Sequence, residues 1–354
     1  MEKHIVQKWI ISFFAVVLTI MVLLSGIAYI IDPFFQFRVK DNSYMLSGWF
    51  VGSGLIENYD YDTLIIGSSM TQNFDMDVFR NELGVKPLHV GLGGIRSSEI
   101  NQLMNVAYNA NKGKDYYICV DLSVFTNDNM ESCYPEHLLK KDFLSRLRYL
   151  LSYEVWFRYI LVDVSFMLMD RIGVNLPIKF AYSKSIDRLE DWRLDVTFGK
   201  DVVLNNYVSG KYSVSKVDTE NLYERMTAHI DDYLLKYDFE KGAHTFFFPP
   251  YSSLYWCDAQ NSGYFNAYLC AKQYFVERAT EYGANVYDFQ CADFTTDLDN
   301  YKDTTHYRPE INDWMVECFA NRDYLATTEN YGTFQEKLIE NTNSFRNEYA
   351  DLFK

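Results

Sequence analysis

The apolar positions of this chain fall into two regimes. From Trp9 to Ile31 they are nearly continuous: 23 residues carry no charge, and only Ser12, Thr19, Ser25 and Gly26 interrupt the run. A helix rising about 1.5 Å per residue over that length spans a hydrocarbon core of roughly 30 Å. A secretory signal peptide has a shorter apolar stretch, about 7–15 residues, followed by a small-x-small cleavage site. The run here is longer, and Ile27-Ala28-Tyr29-Ile30-Ile31 offers no such site. Residues 9–31 therefore read as an uncleaved anchor behind a short tail, residues 1–8. Lys3 and Lys8 precede the segment and Arg38 and Lys40 follow it, so positive charge is nearly balanced across it. The short tail and the large acidic body favour a cytoplasmic N-terminus with the body outside the cell membrane.

Beyond the anchor the pattern changes. Asp32-Pro33-Phe34 breaks the helix, and residues 32–61 read as a juxtamembrane connector. Short apolar runs then alternate with amphipathic stretches. The runs predict strands at Thr63–Ile66, Pro87–Val90, Tyr116–Leu122, His244–Phe248 and Asn285–Phe289. The stretches predict helices at Asp77–Leu83, Ser97–Asn111, Thr219–Tyr237, Gly263–Tyr282 and Pro309–Asn321. Short buried strands with helical crossovers imply an α/β fold, a parallel sheet between two helical layers, occupying residues 62–325. Active residues in such a fold belong at the carboxyl ends of the strands. Residues 134–216 do not fit a minimal version of it. Leu138 to Ile172 is helical in pattern and carries Arg146, Arg148, Arg158 and Arg171. The region reads as an insertion after the third strand: a lid, a substrate platform, a surface for a membrane partner, or a plain elaboration of the core. Residues 326–354 predict a C-terminal amphipathic helix.

Composition narrows the function. At 354 residues and 48% hydrophobic content the chain is long enough to bury a sizeable core and is not disordered. A formal net charge of −15, with no basic stripe, argues against a nucleic-acid partner. The 29 tyrosines and 26 phenylalanines either line a carbohydrate groove or fill the core. The six cysteines (Cys119, Cys133, Cys257, Cys270, Cys291 and Cys318) include no C-x-x-C pair, so no metal site is expected, and no cofactor is implied.

Candidate chemistry lies at two places. Thr63-Leu64-Ile65-Ile66 runs into Gly67-Ser68-Ser69-Met70, where a strand end and a tight turn would present a serine hydroxyl. Asp303 and His306 stand three residues apart, close enough to share a turn in which the carboxylate orients the imidazole. Taken separately, each has a plainer reading. Gly-Ser-Ser is common in turns, and Asp303 or Thr305 could cap the helix starting near Pro309.

In this order, and with these strands, the two blocks resemble the SGNH/GDSL hydrolase superfamily. Gly67-Ser68-Ser69-Met70 matches its Gly-Asp-Ser-Leu block with Ser68 in place of the acid, which makes Ser69 the nucleophile. The family's glycine after the second strand matches Gly94 in Gly91-Leu92-Gly93-Gly94. The resemblance implies that the backbone N–H groups of Gly94 and Ser69 form an oxyanion hole. Asp303 and His306 match the terminal Asp-x-x-His, with His306 as base and Asp303 as its orienter. The family also supplies an Asn after the third strand. Aligned without a gap, that position falls near Phe125, so Asn127 is either a third oxyanion donor from a longer loop or a turn residue. Phe246 to Ser252 ends a strand at the site face, which makes Tyr251 and Ser252, with Ser68, candidates for substrate contact.

Residues 9–125 and 244–322 carry the resemblance. Within the superfamily the layout looks most like membrane-anchored, DltD-like envelope proteins, or those handling O-acetyl groups on polysaccharides. It implies a serine-dependent acyl hydrolase or acyltransferase acting on an acylated envelope glycan or glycolipid. Membrane lipid would surround the anchor, and a membrane acyltransferase could be a partner. A non-catalytic binding or assembly subunit of the same fold, beside such an acyltransferase or a polymer exporter, is the alternative.

Overall fold

The structure, a computed structural model, describes residues 2–40, 48–126, 132–173, 186–188, 196–207 and 221–353. The chain divides into two packed units, Met1–Tyr59 with Tyr134–Ser185, and Asp60–Cys133 with Ile186–Lys354.

The second unit is built on a six-stranded sheet in the order β2-β1-β3-β4-β5-β6. The strands are β1 (Thr63–Gly67), β2 (Pro87–Gly91), β3 (Asp115–Cys119), β4 (Ala243–Phe248), β5 (Asn285–Asp288) and β6 (Leu325–Ala326). All neighbours pair in parallel except β5 and β6. Every residue of β1 and β2 is buried, as expected of strands covered on both faces. The three consecutive phenylalanines of β4 show the division. Phe247 meets Phe74, Phe289 and Phe319 on one face, while Phe246 and Phe248 meet Phe275 on the other. The helices Met76–Leu83 and Pro309–Asn321 pack together, as do Leu222–Leu234 and Phe265–Glu281.

All five predicted strands form, with β3 ending at Cys119 because Asp121 opens a short 3-10 turn, Leu122–Phe125. β6 was not predicted, since two residues carry no periodicity. Nor was the helix Ser253–Ser262, whose start Ser252 fixes by accepting the Tyr255 N–H at 3.4 Å. The C-terminal helix, Tyr331–Glu348, buries Leu338, Asn341, Thr342 and Phe345. Asn341 donates to the carbonyls of Cys291 and Ala292, fastening this helix to the turn after β5. Under the sheet, Lys272 and Asp288 form an ion pair at 2.7 Å with both side chains no more than 2% exposed.

The first unit is helical. Its opening helix, Glu2–Ile31, is the one helix among the described residues long and apolar enough to cross a membrane. Asp32 ends it in a left-handed conformation (φ 44°) and accepts the N–H groups of Gln36, Phe37 and Arg38 at 2.8–3.0 Å. The stretch read as a connector contains a buried helix, Gly48–Asn58. Gly54 is required there, because a Cβ would stand 2.1 Å from the Phe34 carbonyl oxygen. The helical pattern from Leu138 to Ile172 resolves into Glu136–Leu139, Phe143–Leu150, a π-helical stretch Glu154–Ile160 and Leu161–Arg171. The region read as one insertion is divided: residues 134–185 belong to this unit, and the chain from Ile186 onward to the sheet unit.

Candidate active site

The site stands at the carboxyl ends of β1 to β5, within the sheet unit. Gly67 closes β1 where no side chain fits, since a Cβ would lie 2.5 Å from Cys119 Cβ and 2.6 Å from Thr71 Cγ2. The chain then turns tightly: the Thr71 N–H and hydroxyl both donate to the Ser68 carbonyl, at 3.0 and 2.9 Å. This turn places Ser69 Oγ 2.8 Å from His306 Nε2. His306 Nδ1 lies 2.8 and 3.0 Å from the two carboxylate oxygens of Asp303. A carboxylate only accepts, so Nδ1 carries the proton and the bare Nε2 accepts from the serine hydroxyl. Ser69, His306 and Asp303 are thus brought together as the sequence predicts.

The loop bearing the histidine is pinned to the serine turn. Tyr307 Oη and Asn312 Nδ2 both donate to the Met70 carbonyl, at 2.9 and 3.1 Å. On its other side, the Ser252 N–H and hydroxyl donate to the Thr304 carbonyl at 3.1 and 2.7 Å. Asp303 also accepts the backbone N–H groups of Thr305 and His306 at 2.9 and 2.8 Å. Burial pushes its carboxyl up, but the His306 ring and these N–H groups outweigh burial and hold it well below the usual carboxylate range. The capping alternative does not describe this loop: the Pro309–Asn321 helix has Arg308 at its N-cap, with no side-chain cap bond. Asp303 instead orders its own turn and orients the imidazole in one arrangement.

Gly94, at φ +70°, follows β2 and lines the same cavity as Ser69 and His306, a space of about 350 Å³. Among the described residues no acceptor takes the backbone N–H of Ser69 or of Gly94. Phe125, at the gap-free position of the expected Asn, is buried among Phe248, Tyr268 and Phe275 and supplies no donor. Asn127 lies outside the described residues.

Of the three expected substrate contacts, two line the cavity. Ser68 and Tyr251 both hydrogen-bond Asp121, the Tyr251 hydroxyl at 2.6 Å. Ser252 is a correction: it is fully buried, off the cavity, and serves as helix cap and loop anchor. Sequence reasoning missed Asp121, the first acidic residue past β3, which lines the same cavity as Ser69. Burial raises its pKa against the hydrogen bonds of Ser68 and Tyr251 and the charge of His306. Its signal in the sequence is an acid closing an apolar run, which the expected strand Tyr116–Leu122 includes and β3 does not. Arg96, Ser97, Ser98, Ser123 and Thr305 complete the polar lining. Among the described residues no group of three or more His, Cys, Asp or Glu side chains could hold a metal ion.

The arrangement offers a serine hydroxyl with a proton acceptor and an oriented imidazole, beside a cavity that Gly94 also lines. Neither the family models nor the curated proteins compared with this chain match it.

Proposed function

We propose that this protein is a membrane-anchored, serine-dependent acyl hydrolase or acyltransferase of SGNH type. The observation that carries the reading is the Ser69–His306–Asp303 chain of contacts, 2.8 Å at each link, opening on a cavity. The order of parts supports the family: a serine after β1, a glycine after β2 and Asp-x-x-His after β5. In the reaction, His306 Nε2 takes the Ser69 proton as Oγ attacks an ester carbonyl. The N–H groups of Ser69 and Gly94 receive the oxyanion that forms. The imidazolium returns the proton to the departing alcohol, which leaves an acyl-serine. Water or a sugar hydroxyl, deprotonated by the same nitrogen, then takes the acyl group. The apolar N-terminal helix supports a membrane-proximal substrate, an acylated envelope glycan or glycolipid, with the catalytic unit outside the cytoplasm.

One observation favours a second reading. Phe125 stands buried where the family places an oxyanion-hole Asn, which suits a binding or assembly subunit partnering a membrane acyltransferase or polymer exporter. Labelling with a fluorophosphonate serine probe separates the two. The catalytic reading expects labelling of wild type and of Ser68→Ala, and none of Ser69→Ala. A folded wild type that takes no label would overturn it in favour of the second.

A further inference from the structure

The helical unit carries an apolar surface that the proposed chemistry does not use. Phe143 and Leu144 open the helix Phe143–Leu150 at 77% and 73% exposure. Tyr153, Phe157, Leu161, Leu168 and Ile172 follow, each 47–73% exposed. Spacings of four, four and seven residues return Tyr153, Phe157, Leu161 and Leu168 to one stripe of the continuous helical stretch from Tyr153 to Arg171, and Ile172 follows in the turn that ends it. Tyr153 and Phe157 stack along it with ring centroids 4.7 Å apart. The opposite face is packed: Val155, Tyr159 and Ile160 are buried, and Tyr159 meets Phe34 edge-on at 4.6 Å.

The packing partner fixes where this stripe lies. The helices Phe143–Leu150 and Glu154–Ile160 both contact the long N-terminal helix. That helix is exposed along most of its length but covered at Leu24, Ser25, Ala28 and Ile31, a single face of its last two turns. Just past its end, Tyr149 donates to Asp32 at 2.8 Å, and the Arg146 guanidinium lies over the Phe37 ring at 4.6 Å. Leu24 to Ile31 covers roughly 10 Å of helix axis. If Trp9–Ile31 crosses the bilayer, whatever lies beside its last two turns sits at interfacial depth. The boundary carries matching chemistry. Arg38 and Lys40 donate to the last carbonyls of the membrane helix, and Tyr29 lies under Arg38. Arg148, Arg158 and Arg171 are exposed on the same two segments as the apolar stripe, suited to anionic headgroups.

We propose that residues 143–172 form a second membrane-binding element, an interfacial helical segment whose apolar stripe is immersed in the leaflet where the N-terminal helix ends. The proposal rests on the membrane-spanning reading of that helix, not on the acyl chemistry. The full-length protein, with exposed Cys133 and Cys270 replaced by Ser, is labelled with an environment-sensitive fluorophore at Phe157→Cys, Leu168→Cys, Val16→Cys or Tyr223→Cys. Each form is reconstituted into phosphatidylcholine–phosphatidylglycerol vesicles containing lipids with a shallow or a deep doxyl quencher. The expected result is blue-shifted emission at 157 and 168 that shallow quenchers extinguish, deep quenching at 16, and neither effect at 223. Emission at 157 and 168 matching that at 223, with position 16 quenched, would overturn the proposal while leaving the span intact. Failure at position 16 as well would remove the span on which it rests. Blue-shifted but unquenched emission at 157 and 168 would assign the stripe to a second copy of the chain and equally overturn it.

Discussion

Asp303→Asn separates catalysis from architecture, because Asp303 does two jobs with the same two oxygens. Oδ1 accepts the N–H groups of Thr305 and His306, and Oδ2 faces His306 Nδ1 at 2.8 Å. An asparagine keeps the turn if its amide oxygen replaces Oδ1. The amide NH₂ then replaces Oδ2 and points a donor at Nδ1. The reversed rotamer would set that NH₂ against two backbone donors, forfeiting two hydrogen bonds of about 1 kcal/mol each. Oδ1 lies farther from Nδ1, at 3.0 Å, and already accepts two backbone N–H groups, so the nearer NH₂ sets the tautomer: Nδ1 accepts, the ring proton moves to Nε2, and Nε2 meets Ser69 as a donor instead of a base. The same substitution in a serine protease triad costs about 10⁴-fold in kcat, or roughly 5–6 kcal/mol of barrier. Stability changes little. The Asp303 side chain is 41% exposed, so solvent screens its charge and the loss should stay under about 1 kcal/mol. The depressed carboxyl contributes stability above the ordinary carboxylate pKa, and that contribution is lost as pH falls through the lower folded value. The variant and wild type should converge in stability only in strong acid. Turnover of p-nitrophenyl acetate and thermal melting, run in parallel, decide the matter. A lowered melting temperature with turnover within about tenfold of wild type would refute the orienting role and the triad with it.

Four further outcomes follow from the geometry. Gly94→Ala meets no atom within 4 Å, so only its φ of +70° resists, at about 1–2 kcal/mol; the displaced N–H should slow ester turnover about 10²-fold, and unchanged turnover would remove Gly94 from the oxyanion site. Lys272→Met strands the Asp288 carboxylate in the core and should cost about 3–5 kcal/mol in urea unfolding, partly recovered by adding Asp288→Asn; wild-type stability in the single variant would contradict this. Burial pushes His89 down to about 3 and His244 to about 4, and His244 Nε2 lies 2.6 Å from the Tyr108 hydroxyl, so both fold as neutral rings. Stability should be full above about pH 6.5 and fall by about 1.4 kcal/mol per unit for each histidine as pH drops toward their folded values; a flat urea midpoint between pH 7 and 5 would exclude this. Protease added to intact, wall-stripped cells should digest the chain beyond the membrane helix, and full protection until lysis would reverse the proposed orientation.

The legible parts of this molecule were those whose causes are local in sequence. A buried strand such as Thr63–Gly67 is an apolar run bounded by a glycine turn, and Asp-x-x-His brings its own two groups together within one loop. Even the boundaries of Pro309–Asn321 could be read, since proline at the first helical position is a local signal. What escaped depends on distant partners. Ser252 looks like any polar residue past a strand until the Thr304 carbonyl arrives to meet it. Asp121 gains its place beside Ser69 only through Ser68 and Tyr251, one 53 residues before it and the other 130 after. The helix Gly48–Asn58 holds three glycines and looks like a linker; its glycines matter because Phe34 comes within contact of Gly54. The split of residues 134–216 between two units has no composition signal at all.

The serine and its histidine stand 237 residues apart in the chain. A ribosome adding about 5–20 residues per second needs roughly ten to fifty seconds to travel from one to the other. Throughout that interval the nascent chain displays a hydroxyl with no acceptor for its proton. The Met70 carbonyl likewise waits for Tyr307 and Asn312, so the turn that aims the serine is finished only when the histidine arrives. On the proposed chemistry, competence therefore waits until synthesis has passed His306. A chain that stalls, or is clipped, before His306 keeps its long apolar helix and its serine but, on the proposed chemistry, stays inert.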